Sequence, residues 1–162
     1  MLRWVLAFAI PVVLFSSPAA VAQSCLHGRA ESAEARQRRL DALRAARIIN
    51  SAQGWEARGG RFLPWEQLGS ARYVILLRGD GGPSGDLVRR MKWGEREVLP
   101  GWRIHFVVAD AAADAVADDA YAFSLRDSRD PCGFTYSSNE SGVVFEAYPV
   151  ERDGSLPRRA TP

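Results

Sequence analysis

The spacing of apolar residues first indicates one long amphipathic helix. Between Ala30 and Gln53 the chain consists mainly of Ala, Arg, Glu, Gln and Leu and contains no Gly or Pro, which favours a helix. Apolar residues recur there at a spacing of three, and two alanines widen the same side: Leu40, Leu43, Ala46 and Ile49, with Ala42 and Ala45. The pattern predicts an apolar stripe that packs on another part of the protein. Because glycines follow, the helix should end near Gln53 or fray through Trp55 to Arg58.

A second pattern, alternation, follows in the later part of the chain. Trp102 to Val108 places apolar residues on one face and Arg103 and His105 on the other, which is typical of a half-buried strand. Tyr121, Phe123 and Leu125 alternate in the same way. We therefore predict two strands, and we interpret His105 as a surface residue.

Two further segments complete the predicted sheet. Cys132 to Tyr136 and Val143 to Tyr148 are strand-like, and Ser137 to Gly142 between them is typical of a hairpin connection, with Gly142 suited to a positive φ. Short connections favour an antiparallel meander. The predicted fold class is α+β, with one long N-terminal helix packed on an antiparallel meander sheet of three to five strands.

The segment before the alternating strands is predicted to contain one more strand. Tyr73 to Leu77 is a compact apolar run rich in strand-forming residues. The glycines from Gly79 to Gly85 follow without a Gly-Lys-Ser/Thr motif and without a recognisable helix start, so they predict a surface turn rather than a phosphate-binding loop.

The N-terminus resembles an export signal in its order of residues. Arg3 precedes an apolar run from Trp4 to Phe15, and Ala20-Val21-Ala22 supplies an A-x-A cleavage site. The run of 12 residues is too short for a bilayer, which needs about 20. We predict cleavage near Ala22, a secreted or periplasmic protein, and no stable membrane span in the mature chain.

These features divide the chain into three parts. Residues 1–22 are the predicted signal peptide, 23–148 a single domain and 149–162 a flexible C-terminal tail rich in Pro and Arg. The 162 residues less the first 22 leave 140, which is sufficient for one domain with its own core.

The chain has two cysteines, Cys25 and Cys132, and both follow the predicted cleavage site. An even number of cysteines in an oxidising compartment predicts one disulfide between them. The alternative is two free thiols, in which case His27 beside Cys25 could activate a thiolate nucleophile.

Charges are balanced overall but sorted along the chain. The formal net charge is +2, which gives no general attraction to nucleic acid or to an anionic membrane. Six arginines fall between Arg29 and Arg47, and six aspartates between Asp110 and Asp130. Either the two segments face each other or each is a solvated face, and we favour solvated faces.

Four of these aspartates form the one candidate metal site. Carboxylates in a flexible loop are suitable ligands for calcium, and the loop between the two predicted strands carries Asp110, Asp114, Asp118 and Asp119. Their spacing matches no EF-hand, and an ordinary solvated connection is the alternative. No other cofactor is predicted.

Tryptophans next to arginines form the candidate partner-binding site. Large aromatic and Arg side chains are enriched at protein interfaces, and three tryptophans outside the predicted strands have arginines nearby: Trp55, Trp65 and Trp93, with Arg58 and Arg61. The alternative is that these rings fill the irregular side of the core. Trp102 is predicted to be a core residue.

Two blocks of the chain resemble a known family. Leu43-Arg44, Arg47 to Gln53 and Gly60 to Leu63 resemble the helix-to-loop segment of bacterial type IV pilin-like proteins. Tyr121 to Ala147, with Phe-Thr-Tyr, Ser-Asn-Glu-Ser-Gly and Val-Val-Phe in order, resembles the final hairpin of their globular head. The prepilin N-terminal motif and the filament helix are lacking. The resemblance implies a pilin or pseudopilin head without its stem, and calcium would follow the analogy of pseudopilins that hold it in a late loop.

The leading functional prediction is an exported, non-enzymatic domain that acts through contacts with a protein partner in the cell envelope, and no nucleic-acid partner is predicted. The alternative is a small exported enzyme, hydrolase-like, with a site made of carboxylates and arginines. A flat surface of aromatic and Arg side chains favours the first. A concave pocket with converging acids favours the second.

Overall fold

The computed structural model describes residues 31–59, 61–109 and 120–147. Nine elements follow one another in these ranges: α1 (Ala33–Ala57), α2 (Trp65–Leu68), α3 (Arg72–Gly79), α4 (Pro83–Arg90), β1 (Glu97–Leu99), β2 (Trp102–Ala109), β3 (Ala120–Asp127), β4 (Thr135–Asn139) and β5 (Phe145–Ala147). The predicted α+β class is confirmed, with one long helix and five antiparallel strands.

The sheet is a meander in which each strand pairs with the next in the order β1-β2-β3-β4-β5. Phe106 lies opposite Phe123 in β2 and β3, and Leu125 lies opposite Tyr136 in β3 and β4. Gly142 has the predicted positive φ, 71°. His105 is exposed on the outer face, as the alternation predicts.

The inner face of the sheet forms most of the core with α1. Aromatic and aliphatic side chains on this face are buried: Trp102, Ile104, Tyr121, Phe123, Leu125, Phe134 and Tyr136. Strand β1 was not predicted from the sequence, because its three residues are too few to show a period.

Helix α1 is rotated toward its alanines relative to the predicted stripe. Its buried side consists mainly of small residues, while Leu40 is 36% exposed and Leu43 only partly buried. The buried set is Ala42, Ala45, Ala46, Ile48, Ile49, Ala52 and Gln53. Because alanine side chains are short, the helix backbone can lie close to its neighbours. The helix ends at Ala57, so it continues through the segment where fraying was expected.

Two amides on α1 connect it to the rest of the fold. Asn50 Nδ2 donates to Ser138 Oγ and to Gly142 O, each at 2.9 Å, and its Oδ1 accepts from the Tyr121 hydroxyl at 2.9 Å. Burial and nearby Glu140 raise the pKa of Tyr121 to about 12, which keeps this hydroxyl protonated. The fully buried Gln53 forms hydrogen bonds with both backbone groups of Leu63. Its side chain thus provides the hydrogen-bond partners of a loop residue that no strand pairs with.

The predicted strand at Tyr73 to Leu77 is wrong, because this segment lies in α3. Val74 is buried and both Tyr73 and Leu77 pack against the core, and these positions share one face of a helix. The prediction of a turn without a helix start is also wrong, since α4 begins at Pro83, a residue suited to the first helical position.

One ion pair joins the two charge-rich segments within the described residues, so the preference for two solvated faces is wrong for Arg38 and Asp127. Arg38 Nη2 lies 2.9 Å from Asp127 Oδ1, and the two side chains are only 18% and 10% exposed. Near the helix start, Arg39 holds Glu31 by two bonds of 2.8 and 3.0 Å. Both pairs attach the first half of α1 to its surroundings.

Cys132 is disulfide-bonded, and no cysteine of the described residues is a free thiol. Cys25 lies outside those residues, so its pairing with Cys132 stays a prediction. The signal segment 1–22 and the tail 149–162 also lie outside them. Among the helices that the structure describes, none has the length and apolar character needed to cross a membrane.

Gly101 tests the packing of the β1–β2 turn. Its φ is +82°, and an added Cβ would lie 2.7 Å from Arg129 Nε and 2.9 Å from Arg38 Nη2. We expect Gly101→Ala to lower the free energy of unfolding by about 1–3 kcal/mol. The matched control is Gly54→Ala in α1, where no atom lies within 4 Å, and this change should stabilise by about 0.5–1 kcal/mol. Urea unfolding measures both, and equal effects would contradict the explanation.

Glu31 tests the electrostatic attachment of α1. Its bonds to Arg39, opposed by burial and assisted by the charges of Arg39 and Arg36, lower the pKa of Glu31 below its ordinary 4.5. Because the pKa of Glu31 is lower in the folded protein than in the unfolded chain, its carboxylate stabilises the fold at pH values above its ordinary pKa. This stabilisation is lost as the pH falls through the pKa of the folded protein. Glu31→Gln should cost about 1–2 kcal/mol at pH 7 and flatten the acid side of the stability curve.

The control for Glu31→Gln is Glu34→Gln, an exposed first-turn residue that forms no ion pair within the described residues. This change should lower the free energy of unfolding at pH 7 by about 0.3–1 kcal/mol, because it removes a negative charge from the first turn of the helix. If the free energy of unfolding of both variants depends on pH as steeply as that of the wild type between about pH 5 and about pH 3, Glu31 is not the group responsible.

Candidate functional site

An exposed surface of aromatic, arginine and aliphatic side chains lies where the end of α1 meets α3. We call it the aromatic–arginine patch, and it consists of Trp55, Arg58, Arg72, Tyr73, Ile75 and Leu76. Helix α3 packs against α1 through its inner face. The remaining side chains of both helices therefore point outward next to each other.

Trp55 is the centre of the patch. It is 40% exposed, although most tryptophans in folded proteins are highly buried. Its ring centroid lies 6.0 Å from that of Tyr73 at an interplanar angle of 35°. The Arg58 guanidinium carbon lies 5.8 Å from the centroid of the Trp55 ring, within the range of a cation–π contact. The exposed indole is thus held between two neighbours before any partner arrives.

A shallow depression lies beside this ring. It has a volume of ≈ 390 Å³ and is lined by Trp55, Glu56, Arg58, Gly59 and Arg72. Glu56 Oε1 accepts a hydrogen bond from the Arg72 backbone N–H at 3.1 Å. Glu56 therefore connects the end of α1 to the first turn of α3 and fixes the wall of the depression.

Two aliphatic side chains extend the patch along α3. Ile75 is 54% and Leu76 59% exposed. They lie three and four residues after Arg72, which places all three on one face of the helix. Leu76 is also three residues from Tyr73, so the aliphatic and aromatic parts are adjacent.

The arginines of this region are not neutralised by the described acids. Arg38, Arg39, Arg89 and Arg90 each form an ion pair with an Asp or Glu. By contrast, Arg58, Arg61 and Arg72 form none with the acids in the described ranges. The patch is consequently apolar at its centre and positively charged at its edge.

The structure separates the predicted partner-binding residues into two groups. Trp55 and Arg58 lie together on the patch, and Arg61 is exposed just after the end of α1. Trp65 is only 5% exposed and donates Nε1–H to Glu95 O at 2.8 Å. Trp93 packs on Trp65 at a centroid distance of 5.1 Å. Trp65 and Trp93 therefore fill the irregular side of the core, which was the alternative to partner binding.

Four residues of the patch were not predicted as site residues: Arg72, Tyr73, Ile75 and Leu76. The segment from Tyr73 to Leu77 was predicted as a strand, in which alternate residues lie on the same face. In helix α3 residues three and four apart lie on the same face instead. The available signal was helical spacing, with Val74 and Leu77 three residues apart on the inner side and Ile75 and Leu76 on the outer side. Two turns are too few to make that signal decisive.

The carboxylate and arginine cluster near the start of α1 lacks room for a substrate. Glu31, Arg39 and Asp127 line a crevice of ≈ 10 Å³, which accommodates about one water. Glu31 is held by Arg39, and Asp127 by Arg38. Asp130 Oδ1 accepts from the Cys132 backbone N–H at 2.9 Å. This arrangement is that of paired structural charges, not of two acids across an open cleft.

The four predicted calcium ligands, Asp110, Asp114, Asp118 and Asp119, lie outside the described residues. Within the parts of the chain that the structure describes, no group of three or more His, Cys, Asp or Glu side chains is placed to hold a metal.

Trp55 and Trp65 allow a matched test of the patch. Trp55→Ala should change the free energy of unfolding by less than about 1 kcal/mol, because the ring is partly in water in the folded state. Trp65→Ala should cost about 3–5 kcal/mol, because it leaves a cavity in the core. Urea unfolding with far-UV detection measures both. Similar losses would show that Trp55 is a core residue.

The chain has no match among protein-family models, curated proteins or solved structures.

Proposed function

We propose that the protein is an exported, non-enzymatic domain that acts through contacts with a protein partner in the periplasm or at the cell surface. The aromatic–arginine patch is the surface that binds this partner. The observation that carries the proposal is the exposed Trp55, held by Tyr73 and Arg58. Exposed Ile75 and Leu76 continue this surface on the face of α3 that carries Arg72.

The composition of the patch is that of an interface centre. Trp, Tyr and Arg are the residues most enriched among those that dominate binding energy. Burying one large apolar side chain contributes about 1.5–3 kcal/mol, and three such side chains are exposed together here. Because Trp55 is already held by its neighbours, little side-chain entropy is lost when a partner covers it.

The charge of the patch indicates the chemistry of the partner. Arg58 and Arg72 of the patch, and Arg61 after the end of α1, lack carboxylate partners among the described residues. A partner with an apolar centre and acidic residues around it is complementary to this surface. Such a pair associates faster at low salt, since complementary charges accelerate encounter.

Two sequence features support export and a pilin-type role. The first 22 residues have the order of a signal peptide. The segments from Leu43 to Leu63 and from Tyr121 to Ala147 resemble parts of pilin heads, which act through protein contacts. A long helix on an antiparallel sheet is compatible with that resemblance.

A photo-crosslinking amino acid at position 76 tests the proposal in cells that secrete the tagged protein. We expect a discrete crosslinked species of constant mass, identified by mass spectrometry, whose yield falls at least about fivefold when Trp55→Ala is added. The matched control carries the crosslinker at position 107, since Val107 is 48% exposed on the outer face of the sheet.

The result expected at position 107 is no such species, or one that Trp55→Ala leaves unchanged. Circular dichroism of the purified variants establishes that they are folded. The proposal is wrong if folded protein with the crosslinker at position 76 yields no specific species. It is equally wrong if the species persists in full with Trp55→Ala.

A further inference from the structure

A groove of ≈ 380 Å³ lies on the outer face of the sheet, the face that does not pack on α1. Its floor is formed on the strands β3 and β4 by Ala122, Ser124, Ser137 and Asn139. Larger side chains lie on the strands to either side, His105 and Val107 on β2 and Phe145 on β5. The groove therefore follows the two middle strands, and its volume is within the range of small-molecule sites.

The register of the sheet places four of these side chains in one row across the groove. His105 lies opposite Ser124, Ser124 opposite Ser137, and Ser137 opposite Phe145. Because neighbouring strands are about 4.8 Å apart, the row presents an imidazole, two hydroxyls and an aromatic ring at regular intervals. Asn139, two residues after Ser137 on the same face of β4, adds an amide. One small molecule in the groove can contact several of these groups at once.

The polar side chains of this row have hydrogen-bonding groups that the fold does not use. The inward-facing serine of β4, Ser138, is 5% exposed and donates its hydroxyl to Val143 O at 2.7 Å. By contrast, Ser124, Ser137 and His105 form no side-chain hydrogen bond with the described residues, and all three are at least partly exposed. Their donors and acceptors are therefore available to a ligand.

The groove is polar without being charged. Among the described residues that line it, none is Asp, Glu, Lys or Arg. Arg126 follows Ser124 by two residues on β3, but its guanidinium lies against Gly133, where an added Cβ would be 3.0 Å from Nη2. A ligand with a full charge would lose its hydration without gaining a counter-ion from these residues. The lining therefore favours a neutral ligand.

The groove also has an apolar component. Phe145 is 54% exposed and Val107 48% exposed, on the strands to either side of the floor. The face of an aromatic ring carries partial negative charge, which attracts weakly polarised C–H groups. The groove thus offers hydrogen bonds on its floor and an aromatic surface at one side.

We propose that this groove binds a neutral pyranose sugar. A pyranose combines the two features that the lining requires, since its hydroxyls donate and accept hydrogen bonds and one face of its ring consists of C–H groups. The hydroxyls bond to Ser124, Ser137 and Asn139, and the C–H face packs on Phe145. The volume of ≈ 380 Å³ corresponds to about a dozen water-sized groups, which is the size of one hexose. The site is independent of the aromatic–arginine patch and of the function proposed for it.

The test is a titration of the intact folded protein with three neutral pyranoses, methyl β-glucoside, methyl β-galactoside and N-acetylglucosamine, followed by the backbone ¹H–¹⁵N resonances. We expect at least one of these sugars to shift the amides of Ser124, Ser137 and Phe145 in a saturable manner. The amides of Trp55 and Tyr73 should not move, because they belong to helices and not to the outer face of the sheet.

Cyclohexanol, a ring with a single hydroxyl, and sorbitol, a polyol without a ring, are the ligand controls. A saturable shift with a pyranose that neither control reproduces supports the site. Three pyranoses that all leave these amides unchanged overturn the proposal. An equal shift with cyclohexanol also overturns it, since the floor hydroxyls would then play no role. An equal shift with sorbitol does so too, because no ring face is then recognised.

Two exposed apolar residues near the end of the sheet provide matched variants. Phe145 lines the groove, whereas Val143, which is 51% exposed, is not part of its lining. Phe145→Ala should weaken binding of the responsive sugar about two- to tenfold, and Val143→Ala should leave the affinity unchanged. Equal effects of the two variants would contradict the placement of the sugar on Phe145.

The floor hydroxyls are tested by the double variant Ser124→Ala, Ser137→Ala. Both side chains are partly exposed and form no side-chain hydrogen bond with the described residues, so the fold should not depend on them. We expect the affinity for the responsive sugar to fall at least about fivefold. An unchanged affinity in this folded variant overturns the proposal.

Discussion

The fold depends on the burial of one face of α1 against the aromatic inner face of the sheet. The contact is made mainly by alanines, among them Ala42, Ala45 and Ala52, which are fully buried. Small side chains bring the helix backbone close enough for Asn50 and Gln53 to bond groups outside the helix. The bonds of Asn50 to Ser138 and Tyr121 fix the register of the helix along the sheet, and those of Gln53 fix the loop around Leu63. The aromatic–arginine patch is built on the orientation that results.

The sequence predicted those elements whose periodicity extends over several turns or strand residues. The long helix and the alternating strands from Trp102 and Tyr121 were found because each has one buried and one exposed face over many residues. The segment Tyr73 to Leu77 was not, since a short helix with exposed Ile75 and Leu76 has the same apolar run as a buried strand. Three glycines before Pro83 concealed the start of α4, although Pro at that position is itself a helix signal.

The candidate sites could be predicted only in part, for the same physical reason. Residue type and neighbourhood indicated Trp55 and Arg58, which are close in sequence and lie at the end of one helix. The contact of Trp55 with Tyr73 depends on how α3 packs on α1. No local pattern in the sequence carries that information.

The charged attachment of α1 and the aromatic–arginine patch lie toward opposite ends of the same helix. Arg38 is near the start of α1 and Trp55 near its end, a separation of about 25 Å at 1.5 Å per residue. Between these ends, one side of the helix is fully buried, from Ala42 to Gln53, and Asn50 and Gln53 bond it to the surrounding elements. Helix α1 therefore connects the charged attachment near Arg38 to the aromatic–arginine patch around Trp55 through a buried middle segment.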